Sequence, residues 1–331
     1  MTVARTDATT LDQAFATHRR ELTGFCYRML GSGSEAEDAV QETLLRAWRA
    51  YDRFEGRSSL RSWLYRIANN VCIDMLRSPQ RRALPMELGP ASAAAGAVPG
   101  PAQADGTYVQ PIADAAVIDP SADPAEQALH RESIRLAFVA ALQHLPARQR
   151  CALILCEVLR WQAAEVAELL STTTASVNSA LQRARATLAA LEPSATQQDP
   201  TDAAAQALLA RYVDAFERYD VAELVSLLRD DVVLSMPPFP LWLRGPAELG
   251  HWWANQGIGC KGGRLLPVAV NGCAGFGNYR LTRPGLWEPF GLQVIEVVGG
   301  RIAAQHNFLY PERFAEVGLP PRIESDPDGD R

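Results

Sequence analysis

Residues 58–77 read SSLRSWLYRIANNVCIDMLR, and this stretch decides the helical fold of the first part of the chain. Its apolar residues recur at spacings of four and three, which is the period of a helix that turns one face to a core. Ser58 or Ser59 is placed to cap the start of that helix. The pattern predicts an amphipathic helix with a buried ridge made of Leu60, Leu64, Ile67, Val71 and Met75.

The opposite face of this predicted helix carries basic, aromatic and amide side chains. Guanidinium groups bind phosphates, asparagine amides read base edges, and aromatic rings stack on unpaired bases. A solvated face on a core helix is the alternative for this stretch taken alone. The nucleic-acid interpretation assigns DNA contacts to Arg61, Tyr65, Arg66, Asn69, Asn70 and Arg77.

The charge of the chain is unevenly distributed. Its 331 residues carry a formal net charge of -6, whereas a free-standing nucleic-acid binder is usually basic. Residues 1–82 hold 13 Arg against 10 acidic residues, and 127–192 hold 7 Arg against 5. Residues 83–126 contain six acidic residues and neither Lys nor Arg. Two mildly basic blocks are therefore predicted on either side of an acidic segment.

Residues 34–51 predict a second helix in the first block. Ser34 and Glu37 have the spacing of a capping box. The predicted buried stripe is Val40, Leu44, Ala47, Trp48 and Tyr51. The predicted outward face is Asp38, Gln41, Glu42, Arg46 and Arg49.

The segment 83–126 is rich in Ala, Pro, Gly and acidic residues, so it is predicted to be a flexible linker that buries little apolar surface.

The block 127–192 ends in two helical patterns separated by a short Ser/Thr turn, which is the arrangement of a helix-turn-helix. The second helix of such a motif enters the major groove. Its predicted DNA-contacting side chains are Ser176, Asn178, Ser179, Gln182, Arg183 and Arg185.

Beyond a second linker, residues 202–322 change in character. An amphipathic helix over 202–218 precedes several strand-like runs, and Gly299-Gly300 is a hairpin signal between the last two. Helices followed by a largely antiparallel sheet predict an α+β domain.

The N-terminal residues, the apolar runs and the cysteines bear on the cellular location of the protein. MTVARTDATT has no apolar core, and no apolar run approaches membrane-spanning length, so we expect a cytoplasmic protein without membrane contact. The six cysteines form no CxxC pair, which favours neither zinc nor a disulfide framework. We therefore predict no metal and no cofactor.

Residues 34–49, SEAEDAVQETLLRAWR, together with the 58–77 stretch and the QRARATL ending of the helix-turn-helix, resemble extracytoplasmic-function (group IV) factors of the sigma-70 family. Residues 202–322 resemble a SnoaL-like domain of the NTF2-like cone type, on element order and turns such as WLRGPAEL at 242–249. SigG-like and SigJ-like sigma factors carry this fusion. The resemblance implies a multidomain chain with two all-α sigma domains, region 2 at 11–82 and the region 4 helix-turn-helix at 127–192, followed by an α+β cone.

The resemblance also implies partners for each face. The outward face of the 34–51 helix would bind the clamp helices of the largest subunit of core RNA polymerase. Residues 58–77 would contact the minus-ten promoter element as it melts, with Asn70 at the position that holds a flipped base. The helix-turn-helix would read the minus-thirty-five element, and the acidic linker would follow the RNA-exit path. Net acidity then fits, because polymerase supplies much of the phosphate attraction.

The C-terminal domain is expected to regulate the sigma factor rather than to catalyse a reaction, and we assign no catalytic residue. His306 lies in a strand, where a lone histidine is more often a core residue than a general acid or base. A small-molecule ligand in the cone would be lined by Met236, Trp242, Trp252 and His306. Two alternatives remain open: a one-component helix-turn-helix regulator with a ligand-sensing C-terminal domain, and an enzyme with a vestigial DNA-binding half.

Overall fold

The computed structural model describes residues 8–56, 58–76, 81–191 and 197–325, with side chains from residue 13 onward. The described residues divide into two compact units. The first is built from residues within 1–81 and 115–193, and the second from residues within 82–114 and 194–331. Both predicted sigma blocks therefore lie in the first unit.

The first unit begins with three long helices that pack on one another. They are α1 (Ala8–Leu30), α2 (Gly33–Ala50) and α3 (Leu60–Met75). The hydroxyl of Ser32 accepts from the Glu35 amide at 3.3 Å and caps α2, so the helix starts before the predicted Ser34 box. Its buried face is Ala36, Ala39, Val40, Thr43 and Ala47.

Ser59 caps α3 and accepts from the Ser62 amide at 3.1 Å, which confirms one of the two serines predicted for that role. The buried face of α3 differs from the predicted ridge, because α3 contacts both α2 and α1 and so buries a wider arc than one stripe. Met75 is 37% exposed at the end of the predicted ridge. The buried residues are Leu64, Tyr65, Ala68, Asn69, Val71 and Cys72.

The rest of the first unit is a chain of shorter helices. These helices are α6 (Pro124–Ile134), α7 (Leu136–Leu142), α8 (Ala147–Leu153), α9 (Ala163–Leu169) and α10 (Thr174–Ala189). A π-helical turn, Ile154–Val158, continues α8, and α9 and α10 form the predicted helix-turn-helix. Ser171 takes a positive φ of 51° in the turn, and Thr173 caps α10 by accepting from the Ser176 amide.

The acidic segment differs from the predicted flexible linker. Residues 82–114 belong to the second unit, and they include α4 (Pro85–Leu88), while α5 (Asp114–Val117) follows at the boundary. Ala94 is fully buried in the hydrophobic core of that unit, and its amide donates to Glu248 at 2.6 Å. Burial of a small apolar side chain and hydrogen bonds within the second unit thus offset the entropy of ordering this segment, which composition alone does not reveal.

The second unit combines helices with a mostly antiparallel sheet, which confirms the predicted α+β class. Its helices are α11 (Ala203–Arg218), α12 (Val221–Ser226) and α13 (Pro246–Ala254). The strands are β1 (Leu228–Ser235), β2 (Trp242–Arg244), β3 (Arg264–Val270), β4 (Cys273–Arg283), β5 (Leu286–Val298), β6 (Arg301–Phe308) and β7 (Ile323–Glu324).

In the described ranges these seven strands form one sheet with the order β2-β1-β6-β5-β4-β3, and β7 pairs with β5. The β1–β6 pair is parallel, and the other pairs are antiparallel. Gly299 and Gly300 both take positive φ in the β5–β6 turn, as the hairpin signal predicts. Helix α11 contacts β3, and Leu208, Tyr212 and Phe216 of α11 lie in the core of this unit.

No helix in the described part of the chain is long and apolar enough to cross a bilayer. All six cysteines lie within the described ranges and are free thiols.

Candidate polymerase and promoter interface

The outward face of α2 is accessible. Asp38, Gln41 and Arg49 are exposed. Arg46 donates to Glu42 at 2.6 Å and to Asp74 of α3 at 3.3 Å, so two of the five predicted polymerase-binding side chains are tied to each other. The predicted set therefore lies on one helix face, with three members free to meet a partner.

Two large apolar side chains share this face of α2 and are not among the predicted site residues. Trp48 is 57% exposed and Leu45 is 46% exposed. Trp48 stands in the predicted buried stripe, but it lies two residues before the end of α2, and its side chain is mostly exposed. Positions 38, 41, 45 and 48 follow one another at helical spacings of three and four. Because Asp38 and Gln41 are predicted to face outward, the same spacing could have placed Leu45 and Trp48 on that face as an apolar centre.

Arg61 and Tyr65 of α3 are already engaged within the first unit. Arg61 donates to Glu21 at 2.8 Å, and its guanidinium lies 4.9 Å from the Trp161 ring centroid. Tyr65 is fully buried, with its ring 5.2 Å from Phe25 and 5.0 Å from Trp161. Burial, followed by the charge of Glu21, raises the pKa of Tyr65. The predicted DNA-facing tyrosine is thus covered by a residue of the second sigma block.

The other predicted residues of α3 divide in the same way. Asn70 is exposed, whereas Asn69 is buried at 4% exposure and its Oδ1 has no hydrogen-bond partner. Arg66 is half-buried, with Nη2 at 3.9 Å from Glu168 of α9. Arg77 lies outside the described residues. The face predicted from helical period is therefore rotated, and Asn70 remains as its open amide.

Two buried arginines join α1 to the second sigma block, and sequence reasoning did not find them. Arg28 donates to the hydroxyl of Ser133, and Arg150 donates to the carbonyl oxygen of Met29 and to Gln143. Burial lowers the pKa of each arginine to about 10. The carbonyl groups at the end of α1 carry the negative end of the helix dipole, which suits the Arg150 cation.

The polar side of α10 is open. Ser176, Asn178 and Gln182 are exposed, and Ser179 is half-buried. Arg183 is exposed and donates to Ser179 at 2.7 Å, a contact on its own helix that a base or phosphate can replace. Arg185 instead forms an ion pair with Glu157. The structure therefore gathers five of the six predicted side chains on one open face.

The second unit encloses a cavity of about 500 Å³ beside the sheet. Met236 and Trp252 line it, as predicted, while the indole of Trp242 donates to the Gly89 carbonyl outside the lining. Its polar lining residues are Gln256, Cys260, Asn278, Arg280, Gln293, Gln305 and Asn307.

His306 does not line this cavity. Side chains alternate along β6, and Gln305 and Asn307 take the cavity side. His306 is buried on the other face, with Nδ1 at 2.8 Å from the Ser235 hydroxyl and Nε2 at 3.6 Å from Glu296. The predicted pocket position of His306 is wrong, because its neighbours Gln305 and Asn307 face the cavity, and a shift of one position along a strand exchanges the two faces.

Two families match the helical part of this chain. Sigma-70 region 2 matches residues 14–82, and Sigma-70, region 4 matches residues 135–188. The first match contains α2 and α3, and the second contains the helix-turn-helix of α9 and α10.

Similar proteins extend over nearly the whole chain. The extracytoplasmic-function RNA polymerase sigma factor SigG of Mycobacterium tuberculosis is 43% identical over 308 residues, which cover 92% of this chain and 82% of that protein. SigJ of the same organism is 29% identical over 328 residues, or 93% and 94% of the two chains. The crystal structure of SigJ matches with a TM-score of 0.61 at 22% identity, covering 93% of this chain and 100% of that one. The identity with SigG over this span confirms the resemblance drawn from the motifs, and the chain belongs to the extracytoplasmic-function family of RNA polymerase sigma factors.

Proposed function

We propose that this chain binds core RNA polymerase through the exposed face of α2, contacts promoter DNA through α3 and α10, and is regulated by its own SnoaL-like C-terminal unit. It acts in the cytoplasm, where bacterial transcription takes place. The observation that carries the regulatory step is the attachment of residues 82–114, which connect the two sigma regions, to the C-terminal unit.

The polymerase step rests on α2. Trp48 and Leu45 form an apolar centre, and the charged or amide side chains of Asp38, Gln41 and Arg49 surround it. An apolar centre with a polar rim is the usual anatomy of a protein interface. The exposure of both apolar side chains in the free chain supports a partner that covers them.

The promoter step rests on two helices. The open face of α10 suits the minus-thirty-five element, because amides, hydroxyls and arginine read base edges in the major groove. Asn70 of α3 is open for the minus-ten element, whereas Arg61 and Tyr65 are held against Trp161. We therefore expect the free chain to bind promoter duplex weakly, and full engagement of α3 to require displacement of Trp161.

The regulatory step rests on hydrogen bonds that hold residues 82–114 inside the second unit. The amide of Ser92 donates to the Trp242 carbonyl at 2.9 Å, the Ala94 amide to Glu248 at 2.6 Å, and the Gln103 amide to the Pro238 carbonyl at 2.8 Å. A connection held in this way cannot extend freely between the two sigma regions. Release or retention of the segment would set how easily both regions reach polymerase.

The unit would do this without catalysis. The described lining of its cavity consists of apolar, amide and guanidinium groups and the Cys260 thiol, whereas general acid-base chemistry is most often carried by a positioned histidine or carboxylate. His306 lies outside the lining. These observations support a regulatory domain over an enzyme.

A pull-down with core polymerase followed by run-off transcription tests the proposal. The full chain should bind core polymerase and direct specific initiation, whereas a one-component regulator would bind DNA without polymerase. Glu248→Ala loosens the Ala94 contact, so we expect it to change run-off output while Glu312→Ala, which removes an exposed carboxylate elsewhere in the unit, leaves output unchanged. Equal output from both folded variants would contradict the regulatory role. Truncation is a poorer test, because it would strip Ala94 of its core.

A further inference from the structure

We propose that the cavity of the C-terminal unit binds a small aromatic molecule with one acidic group, and that Arg280 is the partner of that group. The proposal rests on the regulatory role given to this unit above, and it adds the chemical class of the regulator. The unit would then report the presence of such a molecule to the segment that connects the two sigma regions.

The walls of the cavity select an apolar, flat ligand. Phe216, Trp252 and Phe290 supply aromatic surface, and Met236 and Leu309 add aliphatic surface. The volume of about 500 Å³ lies within the range of cavities that hold drug-sized molecules. Aromatic rings stack on such walls with a gain beyond simple burial.

The cavity carries a single formal charge among its described lining residues, that of Arg280, and this charge is positive. The Arg280 guanidinium lies 3.2 Å from the centroid of the Phe290 ring, and its Nη2 is 3.6 Å from the Cys260 sulfur. Neither neighbour neutralises it. Glu288 faces Arg280 across the β4–β5 ladder but is exposed, and within the described ranges Arg280 makes no ion pair with it. A half-buried guanidinium of this kind favours an anion.

Several polar atoms in the lining of this cavity are unsatisfied. Asn278 is 4% exposed and Gln305 is 1% exposed, and the side-chain oxygen of each has no hydrogen-bond partner. The Nε of Arg280 is also buried without a partner. Buried polar groups are nearly always paired in folded proteins, so three orphaned atoms around one cavity point to a missing polar ligand. The acidic group would take Arg280, and a hydroxyl or protonated oxygen would meet the amide oxygens.

The connecting segment closes one side of the cavity. Ala97, Val98 and Pro99 are part of the lining. Gln256, which also lines the cavity, donates to the Ala94 carbonyl at 2.9 Å. A bound molecule would therefore contact the segment directly and through Gln256, and its occupancy should stabilise the attached state of the segment.

Two fluorescent probes with the same ring system separate the contribution of the ligand's charge to affinity from that of its shape. Anilinonaphthalene sulfonate carries an acidic group, and phenylnaphthylamine is its neutral counterpart. Both would be titrated into the full chain and into Arg280→Met. Arg283→Met is the matched control, because it removes an exposed positive charge from the same strand.

We expect saturable binding of one sulfonate probe per chain, about tenfold tighter than the neutral probe, because hydrogen bonds between charged groups are stronger than neutral ones. Arg280→Met should lose that preference and keep the neutral probe, and Arg283→Met should resemble the wild type. Hydrogen exchange over residues 89–103 should slow with the sulfonate in the wild type and not in Arg280→Met.

No saturable binding, equal binding of the two probes, or unchanged sulfonate affinity in Arg280→Met would overturn the proposal. These measurements use no polymerase. A failure of the ligand proposal therefore leaves the Glu248→Ala transcription test standing, and a failure of that test would not alter the probe affinities.

Discussion

The guanidinium of Arg28 donates to the hydroxyl of Ser133 at 2.6 Å, and a buried cation thereby ties α1 to α6. Arg28 is 1% exposed, and Ser133 in turn donates to the His130 carbonyl at 2.8 Å. Gly24 leaves room for the guanidinium, since a Cβ at that position would lie 2.8 Å from Nη1. The contact joins the two sigma blocks through hydrogen bonds to neutral oxygens.

Ser133→Ala should therefore lower the urea midpoint of the first unit more than Arg28→Met does. The serine variant leaves a buried charge short of an acceptor, which costs about 1.5–3 kcal/mol. The methionine variant instead removes a charge whose burial lowers its pKa to about 10, so relief of desolvation offsets the lost bonds. Adding Ser133→Ala to the Arg28→Met variant should lower the urea midpoint little further. A larger loss from Arg28→Met than from Ser133→Ala in chemical unfolding would contradict this account.

Trp161→Ala should raise the affinity of the free chain for single-stranded DNA. The substitution uncovers Tyr65 and Arg61, and Trp161 Nε1 makes no hydrogen bond that would be lost. A base stacked on an aromatic ring gains about 1–3 kcal/mol, so a gain of about tenfold is expected in fluorescence polarisation.

Two further variants check the origin of that gain. Arg61→Ala in the Trp161→Ala background should remove part of it, because the uncovered guanidinium contacts phosphate, whereas stacking on Tyr65 is retained. Trp287→Ala, which removes a buried tryptophan from the second unit, should leave the affinity unchanged. If Trp161→Ala folds and binds DNA no better than the wild type, Trp161 does not mask α3.

The order and type of the elements could be predicted from sequence because each depends on local patterns. The period of apolar residues marks α3, the Ser/Thr turn marks the helix-turn-helix, and Gly299-Gly300 marks the β5–β6 hairpin. The attachment of residues 82–114 to the second unit could not be predicted in this way. It depends on a core assembled from distant residues, in which Ala94 belongs to the same hydrophobic cluster as Leu249 and Trp253.

The individual site residues were predicted less well for a related reason. Helical period gives a face only to within one residue, and the contacts of α3 with α1 and α9 decide that Tyr65 and Asn69 are buried while Asn70 is open. A single-residue error in a strand exchanges the faces completely, which separates His306 from Gln305 and Asn307. Arg28 and Arg150 escaped notice because buried arginines are rare enough that sequence patterns treat them as surface residues.

Trp48→Ala should weaken binding to core polymerase by more than about tenfold without lowering stability, since an aromatic residue at an interface centre contributes about 2 kcal/mol or more. The side chain is 57% exposed in the free chain, so the fold does not depend on its burial. Leu129→Ala is the matched control, because Leu129 is 53% exposed on α6, away from the proposed interface. Affinity would be measured by anisotropy of labelled chain against core polymerase. Equal loss from both variants, or from neither, would contradict the assignment of α2.

Arg183→Ala and Arg185→Ala should differ although they remove the same charge from the same helix. Arg183 donates to Ser179 of α10 and is free to turn to DNA, whereas Arg185 is held by Glu157. Removing a base-reading arginine costs about 1–3 kcal/mol and relaxes specificity at one position, so run-off output from a promoter with an intact minus-thirty-five element should fall about tenfold or more for Arg183→Ala. Arg185→Ala should retain output and discrimination between promoters. If Arg185→Ala were the more damaging variant in transcription with matched stability, the reading face of α10 would have to be turned toward Glu157.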